Sequence, residues 1–243
     1  MNSESKAMSA VAKEFSAIRV WHDEVPRTGA ENMAVDQLLM ERSQDLPVLR
    51  IYRWSEPTVS FGYFNALADA RAAFPESEAE EITYVRRWTG GGVVDHRCDV
   101  TYTLAIPRSQ KLANTRGAVS YQVIHQALAD LLTDVGESVR LTSCCEGDGG
   151  VQCFTNPVAY DLTDLEGHKV AGAGQRRSKY GLLHQGSVIP RMTPDIFRDQ
   201  LHQRLGAMLA QEERELNADS ALLADAARLA EERYDTSAWL HKK

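Results

Sequence analysis

Apolar and polar residues alternate along the chain with two periods, and these predict both strands and helices. Runs rich in β-branched and aromatic residues predict strands over residues 18–21, 48–54, 58–63, 82–85, 100–106, 138–141 and 182–189. Apolar residues spaced three and four apart predict amphipathic helices over residues 33–40, 66–74, 118–135 and 221–234, and one that begins after Thr193-Pro194. Strands and helices are interspersed without regular alternation, which favours an α+β fold.

Domain organisation follows from the same pattern. Residues 1–16 are polar and predict a flexible N-terminus, whereas residues 17–243 contain the predicted strands and helices without a clear linker. We therefore expect a single catalytic domain over residues 17–243, in which residues 190–243 form a helical C-terminal part.

The spacing of the strands predicts three hairpins, and the second carries candidate chemistry. The third joins residues 160–163 to residues 169–171 across the turn Leu165-Glu166-Gly167-His168. A turn at residues 55–57 separates the strands 48–54 and 58–63, and the stretch 86–96 separates 82–85 from 100–106. That stretch reads Arg86-Arg87-Trp88-Thr89-Gly90-Gly91-Gly92-Val93-Val94-Asp95-His96. Glycines let a ligand approach backbone N–H groups, and arginines supply forked donors for phosphate or carboxylate. A basic turn without a ligand is the competing interpretation.

Composition confines any anion site to a local cluster. The 243 residues include 27 Lys and Arg and 34 Asp and Glu, a formal net charge of −7, which excludes a surface built as a whole for nucleic acid. No apolar run approaches the ~18 residues of a membrane-spanning helix, and the N-terminus lacks the apolar core of a signal peptide. We therefore predict a cytoplasmic protein without nucleic-acid or membrane partners. Its cysteines are expected to be free thiols, and their spacing predicts no metal site; they are Cys98, Cys144, Cys145 and Cys153.

A second candidate stretch is His168-Lys169-Val170-Ala171-Gly172-Ala173-Gly174-Gln175-Arg176-Arg177, which follows a predicted turn. Its small residues permit close approach of a ligand, and Lys169 could neutralise a phosphate or an acyl oxygen. A surface lysine on a hairpin is the alternative. His184, in Leu183-His184-Gln185-Gly186-Ser187, is either a ligand-facing donor or a half-buried strand residue.

Cys153 is the candidate nucleophile. It lies in Cys153-Phe154-Thr155-Asn156-Pro157-Val158-Ala159-Tyr160-Asp161-Leu162. A thiol becomes a nucleophile when its pKa is lowered, and a nearby cation such as Lys169 would lower it. The alternative for a cysteine before a phenylalanine is a small buried apolar residue.

The motifs, in their order along the chain, resemble the biotin/lipoate protein ligase and octanoyltransferase superfamily. The resemblance rests on the stretch 86–96, a strand, a long helix and then Lys169-Val170-Ala171-Gly172, and residues 31–36, 54–65 and 234–239 agree with it. It runs from about residue 18 to the end of the chain. It implies a mixed β-sheet catalytic domain of the biotin/lipoate ligase type, with flanking helices and a pocket for an acyl chain.

The resemblance also implies roles for individual residues. Cys153 and Lys169 would be catalytic. The residues that would bind substrate are Arg86, Arg87, Thr89, Gly90, Gly91, Gly92, His96, Gly172, Ala173, Gln175, His184 and Gly186. Members of the superfamily attach octanoate, lipoate or biotin to one lysine of a small carrier domain, so a lipoyl carrier domain is the expected partner.

Two reactions are compatible with the resemblance. An octanoyltransferase takes an octanoyl thioester from acyl carrier protein through an acyl-cysteine intermediate, and it needs no cofactor. A lipoate-protein ligase forms a lipoyl-adenylate from ATP in the presence of magnesium, which would leave Cys153 without a role. The segment around Cys153 resembles that of one octanoyltransferase class, and no room is left for the additional C-terminal domain of many ligases. The uninterrupted Gly90-Gly91-Gly92 instead resembles the ligases.

The leading interpretation is therefore an octanoyl-[acyl-carrier-protein]-protein N-octanoyltransferase, with the ATP-dependent ligase as the alternative. A non-catalytic domain that holds an acyl chain or a carrier domain is a third interpretation, and intact basic and glycine positions argue against it.

Overall fold

The computed structural model describes residues 13–143 and 158–242. In these ranges the strands are β1 (Phe15–Arg27), β2 (Val48–Trp54), β3 (Thr58–Phe61), β4 (Thr83–Arg86), β5 (Val93–Asp95), β6 (Val100–Pro107), β7 (Arg140–Leu141), β8 (Leu162–Thr163), β9 (Lys169–Arg177), β10 (Gly181–Val188) and β11 (Ala210–Glu215). The helices are α1 (Gly29–Arg42), α2 (Leu67–Ala72), α3 (Glu76–Ala79), α4 (Gly117–Asp134), α5 (Pro194–Leu209), α6 (Ser220–Leu229) and α7 (Ser237–Leu240). A 3₁₀ turn covers Lys111–Asn114, and a π-helical turn covers Ala230–Tyr234.

The strands form a large and a small sheet. The large sheet has the order β11-β1-β2-β6-β10-β9-β8-β7, and the small sheet has the order β4-β3-β5. In the large sheet β1 runs parallel to β11 and β2, whereas the pairs from β2 to β7 are antiparallel. The expected α+β fold with a mixed sheet is therefore confirmed.

Helices cover both faces of the large sheet. Successive side chains of a strand point to opposite faces, and the central strands carry apolar residues on both. Leu49, Leu104 and Leu182 join one core with α4 and α5, whereas Val48 and Ala105 join the core under α1 and α6. Among the described helices, none combines the length and the apolar character that a membrane-spanning segment requires.

The third predicted hairpin is confirmed, because β8 and β9 pair antiparallel. The first two predicted hairpins are wrong, because strands that are adjacent in sequence belong to different sheets. β2 pairs with β1 and β6, whereas β3 pairs in parallel with β4 and antiparallel with β5. The glycine-rich stretch therefore crosses the end of β3 instead of closing a hairpin between β4 and β6. A Cβ on Gly62, just after β3, would overlap the carbonyl oxygen of Gly91, so glycine is required for this crossing.

Strand β11 lies in the C-terminal part that the sequence predicts to be helical. Its sequence, Ala-Gln-Glu-Glu-Arg-Glu, has no apolar alternation. It pairs with β1 at the edge of the large sheet, where five of its six side chains are exposed. An exposed edge strand buries little, so its sequence carries no strand period.

Candidate active site

A cavity lies where β9 and β10 of the large sheet meet the small sheet and α1. Its lining combines apolar and aromatic side chains with hydroxyl, guanidinium, imidazole and amide groups, and glycines form part of the wall. The lining residues are Met33, Tyr52, Trp54, Ser60, Arg87, Val94, His96, Thr101, Gly172, Ala173, Gly174, Gln185, Gly186 and Ser187. Apolar walls with a few placed polar groups are typical of small-molecule sites.

The glycine-rich stretch packs closely against the cavity wall. A Cβ on Gly174 of β9 would overlap the carbonyl oxygen of Gly90 and would lie 2.8 Å from Thr89 Oγ1. Gly91 has a φ of +101°, a left-handed conformation that L side chains rarely adopt. The sequence therefore needs glycine at both positions to bring this loop against β9.

Arg87 and His96 meet at Ser60 on the small sheet. Arg87 Nη1 donates to Ser60 Oγ at 2.7 Å, and Ser60 Oγ lies 2.6 Å from His96 Nε2. His96 Nδ1 lies 2.8 Å from the buried carboxylate of Asp99, and its ring stacks on Trp54 with centroids 4.1 Å apart. This network holds a cation and a polar ring at the cavity in fixed orientations.

A buried chain of hydrogen bonds ties the glycine-rich loop to the core. Thr89 Oγ1 donates to Gln185 Oε1 at 2.7 Å, and Gln185 Nε2 donates to Asp36 Oδ2 at 2.7 Å. The other oxygen of Asp36 accepts from Arg50 at 2.8 Å, and Arg50 also pairs with Asp23 at 2.8 Å. Burial by itself disfavours the charge of Arg50, but these carboxylates raise its pKa. The loop is thus anchored to a compensated ion cluster.

Lys169 forms a buried ion pair beside the cavity. Its Nζ lies 2.6 Å from Asp161 Oδ2, and the Lys169 side chain is 1% exposed. Tyr121 donates to the other oxygen of Asp161 at 2.5 Å. A Cβ on Gly172, which lines the cavity, would overlap Cε and Nζ of Lys169. The absence of a side chain at Gly172 therefore leaves the space that the ammonium group of Lys169 occupies behind this lining residue.

The structure brings together several of the residues that the sequence identifies. Arg87, His96, Gly172, Ala173 and Gly186 line the cavity. The loop that contains Thr89, Gly90, Gly91 and Gly92 packs beside it, and Lys169 lies behind Gly172. Cys153, as well as Cys144 and Cys145, lies outside the described residues.

Arg86 does not join this group. Its guanidinium donates to five carbonyl oxygens at 2.6–3.0 Å. The acceptors are Trp239, Tyr63, Asn65, Leu240 and Lys242. Each of the five N–H donors of an arginine can serve one such acceptor, so Arg86 holds the C-terminal segment instead of facing the cavity.

His184 and Gln175 also lie away from the cavity lining. His184 is fully buried, with Nε2 3.2 Å from Tyr102 Oη and Nδ1 3.0 Å from Gln175 Nε2. Burial holds the pKa of His184 well below its ordinary value, and the neighbouring His125 and Arg177 lower it further. His184 is thus a strand residue, as the second interpretation has it, but it is fully buried in the core and not half-buried.

Several lining residues carry no sequence signal of their own. Ser60, Thr101, Gln185 and Ser187 are polar residues inside predicted strands, and all four are buried. A polar residue on the buried face of a strand would identify them, but the sequence does not show which face of each strand is buried. Trp54 falls within the segment of family resemblance.

One group of potential metal ligands occurs among the described residues. It comprises Asp164, Glu166 and His168 at the turn between β8 and β9. Arg191 pairs with the carboxylates of both Asp164 and Glu166. The group is separate from the residues that line the cavity.

Comparison with known proteins identifies the family of this chain. The model of the lipoyl protein ligase A/B catalytic domain matches residues 28–218. The chain belongs to this family. An octanoyltransferase LipM from Carboxydothermus hydrogenoformans is 34% identical over 176 residues, which cover 70% of this chain and 65% of that protein. Further octanoyltransferases named LipM match at 30–32% identity. The chain spans slightly less than two thirds of the length of the first of these curated relatives.

Solved structures of the family share the fold. The bipartite lipoate protein ligase of Thermoplasma acidophilum, studied with its E2 lipoyl domain, superposes with a TM-score of 0.69 and 19% identity, covering 94% of this chain and 98% of that one. A lipoate-protein ligase A bound with ATP superposes with a TM-score of 0.72 and 20% identity, covering 93% and 98%. The family model and the LipM relatives confirm the predicted resemblance, and these structures share its fold.

Proposed function

We propose that this protein transfers an octanoyl group from a thioester donor, such as acyl carrier protein, to a lysine of a lipoyl carrier domain. The observation that carries the proposal is the ammonium group of Lys169, which Asp161 holds next to Gly172, a residue of the cavity lining. The relatives named octanoyltransferase LipM support this reaction over others that the fold performs.

The chemistry of the cavity lining suits an acyl chain with a reactive carbonyl. Met33, Tyr52, Trp54 and Val94 supply apolar and aromatic surface for a hydrocarbon tail. Lys169 would approach the carbonyl oxygen, where negative charge develops during acyl transfer. Asp161 compensates the buried ammonium charge and fixes its direction.

Cys153 would be the nucleophile. The described residues on either side of the segment that contains it lie next to Asp161, the partner of Lys169. Thr142 N donates to Asp161 O at 2.9 Å, and Thr142 Oγ1 donates to Val158 O at 2.5 Å. In the first step the cysteine sulfur bonds to the acyl carbon, the donor C–S bond breaks and the donor leaves as a thiol. The carrier lysine then attacks this acyl-cysteine, so that an amide forms and the thiol of Cys153 is released with the amine proton.

ATP-dependent lipoate ligation is the second candidate, and the glycine-rich loop is the observation that favours it. Gly90, Gly91 and Gly92 have no side chains to block access to the backbone, which suits a phosphate group. A ligase with the same fold binds ATP. In this reaction, with magnesium present, the carboxylate of lipoate would bond to the α-phosphorus of ATP and pyrophosphate would leave. Arg87 and Lys169 would hold the resulting lipoyl-adenylate, and Cys153 would have no role.

One assay separates these functions. The protein is incubated with a lipoyl domain and either octanoyl-acyl carrier protein or lipoate, ATP and magnesium, and the lipoyl domain is weighed intact by mass spectrometry. We expect an octanoyl adduct from the thioester without ATP. We also expect Cys153→Ala to abolish it and Cys98→Ala, which changes an exposed free thiol, to retain it.

Other results would overturn the proposal. An adduct that forms only with ATP would identify the ligase, and transfer by the Cys153→Ala variant would exclude the acyl-cysteine intermediate. No adduct under either condition would indicate a binding domain without activity.

A further inference from the structure

Two arginines from distant parts of the chain pack against one indole ring. The Cζ atoms of Arg176 and Arg233 lie 4.4 Å and 5.4 Å from the ring centroid of Trp88. Arg176 also lies 5.0 Å from the ring of Tyr63, and Arg233 lies 4.0 Å from that of Trp239. Cation–π contacts of this kind restrict each guanidinium to one orientation. We call Arg176 and Arg233 the arginine pair.

Neither arginine has a carboxylate partner in the described part of the chain, where no Asp or Glu oxygen lies within 4.0 Å of either guanidinium. Arg176 Nη1 donates to the carbonyl of Trp88 at 3.2 Å, and its buried Nε has no hydrogen-bond partner there. Arg233 Nη1 donates to Gln37 Oε1 at 3.0 Å. By contrast, the nearby Arg228 pairs with carboxylates at 2.8 and 4.0 Å.

The arrangement leaves positive charge uncompensated in a chain whose net charge is −7. Burial lowers the pKa of Arg176, and the charge of Arg233 lowers it further. Both side chains are half-buried beside the Trp88 ring, and the charge of each disfavours the charge of the other. An anion bound beside them would reduce this repulsion.

The arginine pair lies beside the cavity. Trp88 directly precedes Thr89 and the glycine-rich loop, and Arg176 is two residues beyond Gly174, which lines the cavity and packs against Gly90. A donor with its acyl chain in the cavity and its activated carbonyl near the loop would extend past these arginines. The part of the donor beyond the thioester is therefore the part that they can reach.

We propose that the arginine pair binds a phosphate group of the acyl donor. The inference rests on the proposed function, because donors that carry an acyl group on a pantetheine thiol also carry a phosphate at the other end of that arm. Guanidinium groups donate two parallel hydrogen bonds to phosphate oxygens, which is the contact these arginines lack. A nucleotide phosphate has the same chemistry, so the experiment must separate the two sources.

Isothermal titration of the full chain with 4′-phosphopantetheine, pantetheine and ATP tests this proposal. We expect the unmodified protein to bind 4′-phosphopantetheine about tenfold more tightly than pantetheine, a difference of about 1.4 kcal/mol. Arg176→Gln and Arg233→Gln should each reduce this ratio to about threefold or less. Arg176→Lys should keep part of it, because the charge remains but the fork is lost. Arg228→Gln is the matched control and should keep the full ratio.

Equal binding of the two pantetheine probes by the unmodified protein would overturn the proposal, and so would an unchanged ratio in both glutamine variants. If those variants weaken only ATP binding, the arginine pair serves a nucleotide and the assignment to the donor is wrong. Thermal unfolding verifies that each variant is folded. The titration contains no acceptor domain and requires no turnover, so a failure of the proposed transfer reaction would leave its result readable.

Discussion

Replacing Gly172 with alanine is expected to displace the ammonium group of Lys169 while the fold is retained. The new methyl group would overlap Cε and Nζ of Lys169 and would lie 3.1 Å from Asp161 Oδ1. Gly172 does not have a left-handed backbone, so alanine imposes no φ strain there. The atoms in its way are the far end of a flexible side chain, and these can move.

The size of the effect follows from this geometry. To regain van der Waals separation, the ammonium group must move by about 1 Å. A misplacement of that size at a reacting centre costs about 100-fold in rate, so kcat/KM for octanoyl transfer should fall by about that factor. The stability cost should be that of moderate overpacking, about 1–3 kcal/mol.

The assay is steady-state octanoyl transfer followed by intact mass, together with urea unfolding of the same samples. Gly117→Ala is the matched control, because a Cβ there meets only Arg177 Nη1 at 3.6 Å, an ordinary contact. It should change neither measurement appreciably. If Gly172→Ala keeps more than about a third of kcat/KM, the position of Lys169 does not limit the reaction and the reasoning fails.

Three further predictions test other parts of the structure. Arg86→Lys should lower the free energy of unfolding, measured in urea, by about 2–4 kcal/mol, because lysine has three N–H donors for five carbonyls. The KM for the octanoyl donor should stay unchanged. A raised KM at full stability would instead indicate that Arg86 contacts the substrate. Gln185→Leu should lower kcat/KM about tenfold, because Thr89 loses its acceptor and Asp36 loses the donor that links it to the loop. Full activity would show that the loop needs no such anchor. Burial lowers the pKa of His125 from 6.5 to about 4. As the pH falls from 6.5 towards 4, His125 therefore binds a proton in the unfolded chain but not in the folded one, and the free energy of unfolding decreases. Between pH 7 and pH 5 the unmodified protein should lose about 2 kcal/mol that His125→Asn does not lose, and equal losses in urea unfolding would contradict this sign.

Local patterns were sufficient to predict most elements of the fold. The predicted strand 48–54 matches β2, and the predicted helix 118–135 differs from α4 by one residue at each end. The buried face of α4 includes Ile124, Leu128 and Leu132, whereas the apolar residue Val119 in the first turn is exposed. These features depend on residues within one or two turns of each other, which is why the sequence contains them.

Pairing between strands was not predictable in the same way. An alternating sequence shows that a segment is a strand but does not name its neighbour, and β3 finds its partners on both sides within the small sheet. The exposed β11 lacks even the alternation. Two of the three predicted hairpins therefore do not exist, whereas the third corresponds to β8 and β9, which a short turn connects.

By itself the sequence determined the family, the kinds of element and the motifs that carry Arg87, His96 and Lys169. Only the tertiary structure decided what each motif residue touches. It turns Arg86 towards carbonyls more than 150 residues away in sequence, buries His184 in the core, and sets Lys169 against Gly172 at the cavity wall. The physical reason is that a side chain's chemistry is local, whereas its partners and its dielectric surroundings come from elements that meet only in the folded chain.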